Sequence, residues 1–132
     1  MTWTFTIEGP FKPYVRMTQR SMHVDPQAQE YLRSKLAIGL QLKQQMDGKT
    51  MIPRQVPIGT IVEIEHARGF HNRDLDNELK AILDAAQGIV FCDDRWIDGA
   101  GAFRYRGDQD RITLTVWQLD QSLHEEVHDG CD

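Results

Sequence analysis

Between Arg73 and Ile97 the chain reads RDLDNELKAILDAAQGIVFCDDRWI, and most of its chemistry-bearing side chains fall there. Asp74, Asp76, Asp93 and Asp94 are hard oxygen donors, and several converging carboxylates recruit Mg²⁺ or Mn²⁺, which keep waters for chemistry. Lys80 adds one ammonium. Asp74 and Asp76 lie two residues apart, so in a continuous helix they would face away from each other. They converge only if Asp74 stands at the cap and turns inward from the preceding loop. A plainer account uses the same letters: Lys80 lies four residues from both Asp76 and Asp84 and could pair with either on the helix surface. Asp74 would then be a cap, and Asp93-Asp94 a turn. A calcium loop of the EF-hand kind is excluded, because Leu79 and Ala85 stand where its glycine and closing glutamate belong. Spacing leaves a metal centre and a capped, salt-bridged helix both open.

The elements that must hold these residues follow from periodicity. Leu75, Leu79, Ile82, Leu83 and Ala86 recur at helical spacing, with Asp74 as the start signal and Gly88 as the stop. Trp3, Phe5 and Ile7 alternate with threonines, which predicts a half-buried strand over Thr2 to Glu8. Asp25-Pro26 opens a second helix running to about Met46, marked by Ala28, Tyr31, Leu32, Leu36, Leu40 and Leu42. Thr60 to His66 alternates as a strand. Ile97 to Arg106 and Arg111 to Trp117 read as a hairpin turning at residues 107–110. The order β-α-β-α-β-β predicts a single small α+β domain, with two main helices on a mixed or antiparallel sheet. Between the first strand and first helix lies FKPYVRMTQRSMH. Pro10 and Pro13 disfavour a helix there, so it reads as a loop. Its Lys12, Arg16 and Arg20 could neutralise phosphates, and Phe11 or Tyr14 could stack on an unpaired base. The same rings could equally be tucked into the core.

A chain of 132 residues is expected to form one domain, here residues 1–119, with an acidic tail over 120–132. Two cysteines, Cys92 and Cys131, are too few for a disulfide framework and lack zinc spacing, so a reducing cytoplasm is expected. Cys92 reads as a small packed hydrophobe. No apolar run reaches the roughly 18 residues of a membrane span. The net charge of −5 argues against nucleic acid, but its distribution does not. Residues 1–56 carry eight Lys/Arg against four Asp/Glu, and the tail alone holds five acids, so residues 1–119 are neutral. His23, His66 and His71 have no spacing that assigns them a role.

The segment RDLDNELKAILDAAQ…DDRWI resembles the signature of the RusA family of Holliday junction resolvases: Asp-x-Asp-Asn, a lysine four residues on, a further Asp, then Asp-Asp before a strand. The strand before the motif, the Gly9-Pro10 turn and the basic loop are similar in plan, whereas the tail has no counterpart. The resemblance implies metal-binding acids at Asp74, Asp76 and Asp94, with Asp93 a further candidate, and a functional lysine at Lys80. It implies small homodimers, commonly encoded by phages and prophages, that bind four-way DNA junctions. These nick opposed strands with Mg²⁺, for which Mn²⁺ may substitute. DNA backbone contacts would fall to Lys12, Arg16, Arg20 and Arg73. A non-catalytic DNA-binding or phage accessory module of the same fold, and a nuclease for flaps or other branched DNA, are the alternatives.

Overall fold

The computed structural model describes residues 1–16, 18 and 25–119. Four strands and two helices follow in order: β1 (Thr2–Glu8), α1 (Pro26–Gln45), β2 (Ile58–His66), α2 (Leu75–Ala86), β3 (Ile97–Arg106) and β4 (Arg111–Gln118), with a 3₁₀ turn at Asp94–Trp96. They build a mixed sheet in the order β1-β4-β2-β3, as expected for the α+β class. The inner faces of the strands supply Phe5, Ile7, Val62, Ile64, Ile112, Leu114 and Val116, all essentially inaccessible to solvent. The helices supply Tyr31, Ile38, Leu42, Ala81, Ile82 and Ala86 to the same core.

The expected hairpin is not formed. β3 and β4 are separated by β2, which pairs with β3 in parallel and with β4 antiparallel. β2 has the most fully buried inward face of the four strands, with Ile58, Thr60, Val62, Ile64 and His66, and takes the central place. β3 carries the Gly-Ala-rich run GAGAF and becomes an edge, with Phe103 63% exposed. The 107–110 turn therefore crosses the end of β2 instead of folding β4 back on β3. Gly107 N donates to the His66 carbonyl at 2.9 Å, and the Glu65 carboxylate accepts from Asp108 N at 2.9 Å. α2 is thus the crossover of a parallel β2-α2-β3 unit, running from the C-terminal end of β2 back to the N-terminal end of β3.

α1 begins as its letters predict, with Asp25 Oδ1 accepting from Gln27 N at 2.9 Å and proline in the first turn. Its buried stripe is Ala28, Tyr31, Ile38 and Leu42; Leu36 and Leu40 point outward, at 65% and 57% exposure. Two glutamines on α1 close the free edge of β1. Gln41 exchanges hydrogen bonds of 2.8 and 2.9 Å with both backbone groups of Glu8. Gln45 does the same for Thr6, at 2.9 and 2.7 Å. Side-chain amides thereby stand in for the missing neighbouring strand.

Candidate active site

The Asp-rich helix is anchored by its inner face and leaves its acids outside. Asp74 occupies the N-cap position in extended conformation (φ −82°, ψ 134°), yet its side chain makes no capping hydrogen bond. Asp76, in the first turn, is exposed. Among the described residues neither carboxylate has an ion-pair or hydrogen-bond partner. The capping explanation for Asp74 therefore fails on geometry, since a capping carboxylate accepts from the first-turn amides.

Lys80 is likewise not a salt-bridge decoration. Its exposed ammonium has no carboxylate partner among the described residues and lies 5.8 Å from the centre of the Tyr14 ring. Asp84, the alternative partner, is already engaged: it accepts from the Tyr31 hydroxyl and pairs with Lys35 at 3.2 Å. Asp84 therefore joins α1 to α2. Burial and the neighbouring Asp84 charge push the Tyr31 hydroxyl well above its ordinary range, so it stays a donor.

At the far end of α2, Gly88 takes a positive φ of 84° that a side chain would strain, and the chain turns to Asp93-Asp94. The two acids divide their duties. Asp93 Oδ1 accepts from Arg95 N at 3.1 Å and so caps the 3₁₀ turn. Asp94 is fixed through its backbone, with its amide donating to Gln87 Oε1 at 3.2 Å, and its side chain is exposed. Partial desolvation, a hydrogen bond with Asp93, and the charges of Asp93 and Asp84 hold the Asp94 carboxyl above the usual carboxylate range.

Carboxylates and water are the donors that Mg²⁺ prefers, and this ion takes as few as one or two protein carboxylates together with phosphate oxygens. Asp74 and Asp76 at the start of α2, and Asp94 beyond its other end, are donors of that type. They do not form a closed cage: among the described residues no three His, Cys, Asp or Glu side chains are grouped to hold a metal ion.

Of the basic residues, Lys12 and Arg73 come together. They line one open cleft of about 270 Å³ with Glu30, Arg33 and Ser34. Lys12 N donates to Ser34 Oγ at 2.9 Å, its ammonium faces Glu30 at 3.7 Å, and Arg73 Nη1 donates to the Phe11 carbonyl at 3.2 Å. Arg16 is exposed on the same loop, whereas Arg20 and His23 lie outside the described residues. Phe11 is buried and Tyr14 half-buried, so of the two rings only Tyr14 remains partly open beside Lys80. Tyr14 N also donates to the Asn77 carbonyl at 3.1 Å, tying the basic loop to the first turn of α2.

A second group was not anticipated. Glu78 is completely buried, with His66 Nε2 at 2.7 Å from Oε2 and Arg104 Nη1 at 2.6 Å from Oε1. Its position gave a signal: Glu78 shares the inner stripe of α2 with Ile82 and Ala85, four and seven residues on. His66 likewise follows Val62 and Ile64 on the inward face of β2.

Exposed carboxylates at the start of α2, with Lys80 one helical turn from Asp76 and paired with no carboxylate among the described residues, suit phosphodiester chemistry on a polyanion. Comparison with protein families agrees. The model of endodeoxyribonuclease RusA matches residues 7–117, and the chain belongs to that family. None of the curated proteins matches the chain. No helix among the described residues is long and apolar enough to cross a membrane.

Proposed function

We propose that this protein is a Mg²⁺-dependent, structure-specific endodeoxyribonuclease that resolves four-way DNA junctions by paired nicks. The observation that carries the reading is the pair of unengaged groups on α2: Asp74 caps nothing, and Lys80 pairs with no carboxylate among the described residues. In a helix built for stability alone, both would find partners within a turn. Membership of the RusA endodeoxyribonuclease family supports the nuclease reading.

Asp74, Asp76 and Asp94 would hold the cation, with water and DNA phosphate completing its shell; Mn²⁺ would serve as well. When bound, Mg²⁺ supplies an activated water and neutralises charge at the scissile phosphate. Lys80 places its ammonium where negative charge develops on the phosphoryl oxygens. The Tyr14 ring centre lies 5.8 Å from that ammonium. Arg73, Lys12, Arg16 and Arg20 contact the backbone, so affinity follows junction shape and salt more than base sequence. Two opposed nicks call for two sites, which a two-fold homodimer provides. The acidic tail from Asp120 lies outside the described residues and has no part in this reading.

A cleavage panel of duplex, flap, fork and four-way junction with Mg²⁺ tests the proposal. Symmetrically nicked four-way junctions with little cutting of duplex are expected. Preference for flaps would redirect the substrate class, and no cleavage of any branched DNA would point to a non-catalytic DNA-binding module.

A further inference from the structure

We infer that the buried Glu78, His66 and Arg104 form a positioning device for Asp74, an inference that rests on the nuclease reading above. One guanidinium nitrogen, Arg104 Nη1, donates both to Glu78 Oε1 at 2.6 Å and to the Arg73 carbonyl at 2.8 Å. The Arg73 carbonyl belongs to the peptide plane that enters Asp74, and that plane is rigid. The peptide plane that leaves Asp74 is held by the same residue, because Glu78 N donates to the Asp74 carbonyl at 3.1 Å. Both planes flanking Asp74 are therefore set by Glu78, one through its backbone and one through its side chain and Arg104. The Asp74 carboxylate, which makes no capping bond, extends from a backbone held on both sides.

The rest of the group keeps this geometry from drifting. His66 Nε2 lies 2.7 Å from Glu78 Oε2, and the Nε2–H tautomer donates to that carboxylate. The His66 ring stacks on Phe70 at 4.9 Å, and the Arg104 guanidinium covers the same Phe70 ring at 4.9 Å. Phe70 thus pins the loop that delivers Arg73, whose amide donates to the Phe70 carbonyl at 3.0 Å. A carboxylate at 0% exposure is a costly way to fill space, and apolar side chains of similar volume commonly serve stability as well or better. What apolar residues cannot do is hold the Arg73 carbonyl. Groups that orient catalytic ligands in this manner typically matter by roughly 10–100-fold in activity.

The test compares the wild type with Glu78→Gln and with the triple variant His66→Phe, Glu78→Leu, Arg104→Met, which replaces the polar group by an apolar one. Each is measured for thermal stability, amide hydrogen exchange, junction affinity without divalent cation, and single-turnover cleavage with Mg²⁺. The triple variant should melt near the wild-type temperature while exchange over residues 70–79 accelerates and that of β2 and β4 does not. Junction affinity should hold, and cleavage should fall by roughly 10–100-fold. Unchanged exchange over 70–79 in a folded variant, or wild-type cleavage by it, would overturn the inference. If the triple variant does not fold, Glu78→Gln is judged by the same two criteria. Should the wild type cut no branched DNA, the nuclease reading fails by itself, and the exchange data still decide whether Glu78 positions Asp74.

Discussion

On the proposed nuclease reading, Asp74 and Lys80 serve function and contribute little to the stability of α2. An N-cap Asp whose oxygen accepts from the helix amides is worth about 1 kcal/mol, so replacing it by Ala should register in a denaturation curve. Asp74 makes no such bond. Asp74→Ala is therefore expected to change unfolding free energy by less than about 0.5 kcal/mol, measured by urea titration, while abolishing cleavage. Lys80→Met should behave alike, with unchanged stability, retained junction binding and loss of cleavage. A stability loss near 1 kcal/mol in Asp74→Ala would return the residue to a capping role. Asp94 adds a pH-dependent signature. Its carboxyl is raised above the ordinary range by desolvation and by Asp93 and Asp84. The folded state thus holds that proton more tightly than the unfolded chain, and the contribution to stability declines as pH rises through the raised value. In the cation-free protein, Asp93→Asn should lower the Asp94 titration midpoint, followed by carboxyl ¹³C NMR. At this scale the sequence singled out Asp74, Asp76, Lys80 and Asp94 as candidates, because motif spacing survives as a pattern of letters. It marked Glu78 only by its place on the inner stripe of α2 and hid its partners, because His66 and Arg104 lie 12 and 26 residues away.

Element by element, the order of strands and helices was legible from periodicity, and their pairing was not. Period-2 alternation marks a strand but says nothing about which neighbour it will choose, so the nearby β3 and β4 read as a hairpin. β2, with its long buried inward face, inserted between them. The Gly-Ala run of β3 was the available clue to an edge. The opposite edge shows a different limit. Gln41 and Gln45 read as ordinary polar residues of α1, yet they satisfy four backbone groups of β1. Replacing both by alanine leaves those groups to water or to another chain. A destabilisation of about 1–3 kcal/mol and a greater tendency to associate are expected, measured by urea unfolding and light scattering. A double variant as stable and as monodisperse as the wild type would show that water serves that edge equally well.

Across the whole molecule, an acidic protein can hold DNA because its charge is segregated. Residues 1–119 are neutral, and the excess of five negative charges belongs to the last thirteen residues. Lys12, Arg33 and Arg73 gather at one cleft, with Arg16 on the adjoining loop, and cation binding by Asp74, Asp76 and Asp94 would offset the acids beside them. Replacing Lys12, Arg16 and Arg20 together by alanine should weaken junction binding and flatten its dependence on log salt, the slope falling by about 0.9 for each phosphate no longer neutralised. An unchanged slope would place the DNA on another face. The most direct test of metal-assisted cleavage at α2 is the Asp76→Asn variant on a synthetic four-way junction with Mg²⁺. Binding at wild-type affinity with no cleavage is the expected result. Cleavage by Asp76→Asn at the wild-type rate would contradict it.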